Sequence, residues 1–217
     1  ASVEPPHPPY DAAPGSRGVR GSDLVLFGNV PSDPEVIARA RRELPGYYAQ
    51  IETTDAAIGR LLARIDFSNT AVVFTSVHGD MHGAHGLFRK GWPHEESVRV
   101  PLLVRIPGQP ASRSEEVFSL VDLPAATLGL ACEASAERFQ LTRQHAQISM
   151  PSVVKLPFQC DRIWRGVRSA KRKLVLNEDG SPWLFFDLEQ DPGEMENLVS
   201  DPIRRSELED WLPRIEL

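Results

Sequence analysis

The stretch from Phe74 to Gly91 gathers His78, Asp80, His82, His85, Arg89 and Lys90 directly behind a short apolar run, Ala71-Val72-Val73-Phe74. A run that short, rich in β-branched and aromatic residues, reads as a strand buried on both faces. In open α/β sheets ligands collect just beyond the carboxyl ends of strands, where His78 and Asp80 fall. The spacings of four and three between His78, His82 and His85 suggest a zinc-like trio on one helical face. Gly79, Gly83 and Gly86 interrupt the stretch, however, and glycine this dense disfavours a regular helix. Asp80, in a tight turn, is expected to bond nearby backbone N–H groups rather than act as a ligand.

The elements around this stretch alternate between helix and strand. The first thirty-odd residues, with Pro5, Pro6, Pro8, Pro9, Pro14, Gly15, Gly18 and Gly21, read as a loop or extended arm. A helix is predicted from Pro34 to Leu44, capped by Ser32 or Asp33. A second, longer one is predicted where Tyr47, Tyr48, Ile51, Ile58, Leu61, Leu62 and Ile65 recur at helical spacing. Leu102 to Ile106 reads as another buried strand, and Asp122 or a neighbour as the cap of a helix through Leu130. From Cys132 to about Lys155 the period fades into a linker or irregular excursion. Trp164 to Leu176 and Trp183 to Leu188 then read as two strands joined by a hairpin at Asn177-Glu178-Asp179-Gly180. Pro202 to Leu217 reads as a short terminal helix. A helix-and-parallel-strand section followed by antiparallel strands makes this an α/β chain with a small α+β subdomain. The expected division is 1–131, 132–155 and 156–217.

With 217 residues, 24 Lys and Arg against 30 Asp and Glu, and a net charge of −6, the chain is mildly acidic. That argues against nucleic acid or an anionic membrane as the main partner. No apolar run approaches membrane-spanning length. Cys132 and Cys160 make no disulfide framework, though one bridge between them stays open. The run Arg165, Arg168, Lys171, Arg172, Lys173 is most simply a solvated basic face.

Several segments together resemble a known family. Thr75-Ser76-Val77-His78-Gly79-Asp80-Met81, then Lys90, then Glu95-Glu96-Ser97-Val98-Arg99-Val100-Pro101-Leu102, are similar to the sulfatases of the alkaline phosphatase superfamily. So are Pro6-His7-Pro8-Pro9-Tyr10, Tyr47 to Leu62, Ser119 to Ala125, and Arg165-Gly166-Val167-Arg168 with Phe186 to Leu198. The resemblance implies an alkaline phosphatase-like sheet flanked by helices, incomplete here, with a small C-terminal subdomain containing an antiparallel sheet. It implies hydrolysis of a sulfate ester by a formylglycine nucleophile, with a calcium or magnesium ion holding nucleophile and sulfate together. A hard cation of this kind wants several oxygen ligands and acts as a Lewis acid.

Residue by residue, the resemblance assigns His7 and Lys90 to sulfate contact and catalysis, and His78 to the metal. Val77 stands where the family has a metal-binding Asp, and it cannot ligate. The nucleophile motif, C/S-x-P-x-R, is not matched at either cysteine. Its one literal occurrence, Ser200-Asp201-Pro202-Ile203-Arg204, carries a bulky Ile and matches the terminal-helix region instead. The chain is therefore expected to be the C-terminal portion of a sulfatase and inactive by itself. Its substrate would be a small-molecule or saccharide sulfate ester. Unpaired strand edges would favour self-association. Two other readings stay open: a degenerate, non-catalytic relative, or a related phosphoester or phosphonate hydrolase.

Overall fold

The computed structural model describes residues 2–10, 18, 20–133 and 143–215. They belong to two compact units, Ala1–Thr70 with Met81–Phe88, and Ala71–Asp80 with Arg89–Leu217.

The first unit is organised by one helix, α1, Pro34–Leu62. Asp33 caps it, accepting from the N–H groups of Glu35 and Val36 at 2.8 and 3.1 Å, with Pro34 in the first position where its missing N–H costs nothing. The sequence predicts two helices on either side of Pro45, but the backbone runs straight through it. The proline deletes one intrahelical bond. Packing of Ala40, Leu44, Gly46 and Ala49, together with an Arg39–Glu43 pair at 2.9 Å, outweighs that loss. Arg41 ties down the preceding arm, donating to the carbonyls of Gly21, Ser22 and Leu24 at 2.6, 3.2 and 3.1 Å.

The second unit holds two sheets. β1, Val72–Thr75, pairs with β2, Leu102–Arg105. The pairing is antiparallel, Val72 opposite Arg105 and Thr75 opposite Leu102, in place of the parallel neighbours that the sequence suggests. Nor are both faces covered: Phe74 and Leu103, directly opposite one another, are 41% and 64% exposed. A short apolar run carries no information about strand direction, and the connecting segment decides it. That segment contains a 3-10 turn at Ala84–Gly86 and one short α-helical turn, α2, Glu95–Val98. After β2, a 3-10 turn at Leu120–Asp122 leads into α3, Leu123–Glu133, which is apolar on every side. Asp122, expected as a cap, instead gives its carboxylate to a bidentate pair from Arg143, at 2.7 and 2.5 Å.

The larger sheet is antiparallel and ordered β3-β4-β5-β6. Its strands are β3, His145–Met150; β4, Trp164–Ser169; β5, Arg172–Asn177; and β6, Pro182–Asp187. β3 lies in the stretch that reads as irregular, because its sequence, His-Ala-Gln-Ile-Ser-Met, alternates too weakly to show a period. The run from Trp164 to Leu176, which reads as one strand, is two. The turn between them is built by Ser169, whose hydroxyl accepts from the N–H groups of Lys171 and Arg172 at 3.1 and 3.0 Å, without glycine or proline to announce it. The hairpin at Asn177–Ser181 does form, with Gly180 at φ +84°. At the C-terminal end the helix is shorter than expected, α4 at Arg205–Trp211 followed by a 3-10 turn.

Period-two alternation sends side chains of this sheet to two cores. Val167, Leu174, Leu176 and Phe185 pack with Leu198, Leu208 and Ile215. Trp164, Val175, Leu184 and Phe186 pack on the other face with Cys160, Leu188, Trp92 and Val98. This second cluster seats α2 and the segment before it against the sheet. Truncating fully enclosed Phe185 to Ala should cost ~3–5 kcal/mol. Urea denaturation checks this, and a loss below ~1 kcal/mol would mean the site is not a packed core.

Candidate functional site

The segment that follows β1 bends at Val77 and then carries His78. Ser76 Oγ donates to the His78 carbonyl at 2.9 Å, and the half-buried imidazole lies with Nδ1 2.9 Å from the Gly79 carbonyl. Gly79 N–H donates to the Ser97 carbonyl at 2.9 Å. A Cβ on Gly79 would sit 1.9 Å from the Glu96 carbonyl oxygen, so only glycine lets α2 approach this closely. Asp80 bonds a backbone N–H, but one nine residues on and not within a tight turn. One of its oxygens accepts from the Arg89 N–H at 3.1 Å, and the other lies 4.0 Å from the Arg89 guanidinium.

Lys90 sits on a backbone held from three sides. Its carbonyl accepts from Cys160 N–H at 3.2 Å. The next N–H, of Gly91, donates to Ser97 Oγ at 3.1 Å, and the Gly91 carbonyl accepts from the Trp164 indole at 2.7 Å. Gly91 adopts φ +85°, a conformation that favours glycine. Partial burial holds the Lys90 ammonium below the ordinary lysine range, with Asp80 pulling the other way and Arg89 adding to the fall.

Behind α2 lies a buried ionic cluster. Lys173, fully enclosed in β5, reaches Glu95 at 2.7 Å, Glu194 at 2.6 Å and the Pro93 carbonyl at 3.0 Å. Arg168 adds a second cation to Glu95 at 2.9 Å, and the Glu95 N–H donates to Glu194 at 2.8 Å. Two cations and two carboxylates thus balance out of water, which is the condition for tolerating any of them there. Burial raises the Glu95 pKa, but Lys173 and Arg168 together overcome it and bring it down to about 2. For Glu194 burial wins; Lys173 offsets it only in part, and the Glu95 charge adds to the rise.

This cluster overturns the reading of the basic run as a solvated face. Lys173 is fully buried, Arg168 pairs with Glu95, and Arg172 pairs with Asp187 and Glu207 at 2.7 and 2.6 Å. The one available signal is a lysine immediately preceding an apolar strand segment, Leu174-Val175-Leu176. Neither cysteine is bridged; Cys160 is buried and Cys132 exposed. The backbone of the histidine-rich stretch also departs from helix. His82, Gly83, His85 and Gly86 all have positive φ, so no common helical face exists for zinc. His82 packs on Tyr47 and Tyr10 with centroids 4.3 and 5.2 Å away, and His85 meets the Asn29 amide at 3.1 Å.

His78 and Lys90 both belong to the second unit, and both flanking glycines bond Ser97. His7 belongs to the first unit, exposed, with Nδ1 2.8 Å from the Pro8 carbonyl. Val77, at the expected Asp position, is 83% exposed. Ser200 to Arg204 form a turn before α4, with the Asp201 carboxylate accepting from Ile203 N–H at 2.8 Å.

The sulfatase family model matches residues 5–133 of this chain. The chain belongs to the sulfatase family. An ulvan-active sulfatase of Formosa agariphila is 31% identical over 229 residues, covering 93% of this chain and 43% of that protein. This sulfatase chain therefore spans less than half the length of the curated relative it matches there. The phosphonate monoester hydrolase of Agrobacterium radiobacter shares its fold, with a TM-score of 0.76 at 18% identity over 97% of this chain and 54% of that one. BT4656, solved with its substrate D-glucosamine-2-N,6-O-disulfate, has a TM-score of 0.67 at 22% identity, over 86% of this chain and 42% of its own. The fold is thus that of the sulfatases and the alkaline phosphatase-like hydrolases.

The opposed shifts of the two buried carboxylates set an acid-stability test. Glu95 has a folded pKa of about 2 against an ordinary 4.5, so its stabilisation is present above 4.5 and fades as pH falls toward 2. The full difference corresponds to roughly 3 kcal/mol. Glu194 acts with the opposite sign: its folded pKa is raised, so its contribution is complete at low pH and is lost as pH rises through that raised value. Glu95→Gln should therefore destabilise the chain at pH 7 and converge with the parent between pH 4.5 and 2. Parallel stability curves across that window would contradict it.

Proposed function

We propose that this chain supplies Lys90 and His78, with His7, to a site that hydrolyses sulfate esters. Family membership and the held position of Lys90 support the reading: a lysine on a fixed backbone beside a strand end is suited to neutralise a sulfate oxygen as charge moves toward the leaving group. In this reading Lys90 pairs with a sulfate oxygen, and His7 contacts the sulfate and assists the leaving oxygen. Its substrate class is a small-molecule or saccharide sulfate ester, the saccharide form favoured by what BT4656 was solved with.

The calcium or magnesium ion of the proposal fits these positions poorly. Val77 offers no donor, and His78 offers a single imidazole. A hard cation takes six or more oxygen ligands, so Val77 and His78 by themselves do not hold it. The exposed Val77 favours a second reading, in which the sheet is kept without the chemistry. Likeness to the phosphonate monoester hydrolase supports a third, hydrolysis of a related phosphorus ester.

Two measurements separate these readings. Titrating inorganic sulfate into the chain should shift the Lys90 side-chain NMR resonance saturably, and Lys90→Ala should weaken binding about tenfold, as for loss of a charge-assisted contact. A sulfate response that avoids Lys90 rules this assignment out, and a response to methylphosphonate but not sulfate favours the third reading. With an aryl sulfate and calcium, the chain by itself should release no phenol above the blank; release would contradict the expectation of inactivity. The proposal also includes self-association through the open strands β1 and β2, where Phe74 and Leu103 are exposed. Sedimentation velocity should show dimers or larger species, and a monodisperse monomer would contradict it.

A further inference from the structure

We propose that Ser97 is a positioning residue that sets the spacing between the His78 turn and Lys90. The assignment rests on the sulfate-site reading above for its functional meaning, but its geometry stands apart from it. Ser97 is 3% exposed and bonds both segments at once. Its backbone carbonyl accepts from Gly79 N–H, one residue after His78, at 2.9 Å. Its hydroxyl accepts from Gly91 N–H, one residue after Lys90, at 3.1 Å. Its own N–H donates to the His94 carbonyl at 2.9 Å, which fixes it within α2.

Such a bridge transmits position only if α2 is itself fixed. Two independent contacts do that. Glu95, the first residue of α2, is held by Lys173 and Arg168 from the large sheet, and Val98, the last, packs in the core around Trp164 and Phe186. A continuous series of bonds therefore runs from β4 and β5 through Glu95 and Ser97 to the two segments. Trp164, on β4, completes it by donating to the Gly91 carbonyl. Glycine is required at both bonded partners, by close approach at Gly79 and by positive φ at Gly91, so neither segment can relax by substitution.

In this arrangement the same serine acts through two bonds to the backbone of the neighbouring segments. Both its oxygens already accept from the backbone. Removing the hydroxyl takes away the Gly91 bond and leaves the Gly79 bond, so its effect should appear at Lys90 and not at β1.

The test compares the chain with its Ser97→Ala variant, using Leu174→Val as a control that loosens the core without touching this bridge. In Ser97→Ala the Lys90 ammonium titration, read by NMR on labelled lysine, should move up toward the ordinary lysine value. Inorganic sulfate should bind about fivefold more weakly, the scale of one lost hydrogen bond. Leu174→Val should lower the melting temperature and change neither readout. In the unaltered chain the Gly91 amide should exchange slowly with solvent, and fast exchange there overturns the assignment without any variant. Unchanged Lys90 titration in Ser97→Ala also overturns it. If the parent chain binds no sulfate while Ser97→Ala still moves the Lys90 titration, the positioning role holds and the sulfate-site reading fails.

Discussion

The burial of Lys173 between Glu95 and Glu194 is the constraint on which the second unit depends. A lysine with no solvent exposure is tolerated only when paired and hydrogen-bonded, and here it meets two carboxylates and a carbonyl. The network works as a locating device more than as a source of stability, since desolvation of four charges consumes much of what their attraction returns. What it secures is geometry: a four-residue helical turn, too short to hold itself, is fixed against a sheet that lies far from it in sequence.

From that turn the rest of the candidate site is arranged. Ser97 ties the segment after His78 to the segment after Lys90, and Trp164 and Cys160 hold the Lys90–Gly91 peptide from the sheet side. The four-stranded sheet, whose sequence suggests only an appended subdomain, is in this sense the support for the residues matched to the family's chemistry. Its two-faced core explains why that support is firm, because one face is committed to α4 and the terminal turns while the other seats α2.

At the position where the family resemblance leads one to expect a metal-binding Asp beside His78, Val77 exposes an apolar side chain to solvent. Burying a branched alkyl group is favourable, so its exposure shows that no packing demand explains it. The residue is a local departure set in an otherwise well-supported turn. The scaffold of Gly79, Asp80, Arg89 and Gly91 is intact around it.

The sequence by itself determined the family, the Asp33 cap of the principal helix, the hairpin at Gly180, and the position of His78 beyond a strand. Each of these is carried by local pattern: cap residues, turn glycine and motif order. The sequence did not determine the helix face, since Tyr48, Ile51 and Leu61 are exposed while Ala40, Leu44, Gly46 and Ala49 are buried. It could not determine that α1 passes through Pro45, that β1 and β2 run antiparallel, or that Ser169 turns the chain between β4 and β5. In each of those cases a local rule competes with packing or with a side-chain hydrogen bond, and the outcome depends on neighbours distant in sequence. The basic run is the sharpest instance. Five cations close together look solvated when counted along the chain, yet Lys173, with no solvent exposure, finds its partners 78 residues before it at Glu95 and 21 after it at Glu194. Only the tertiary structure decides where such a charge goes, because its partners are brought to it by the fold and not by the sequence around it.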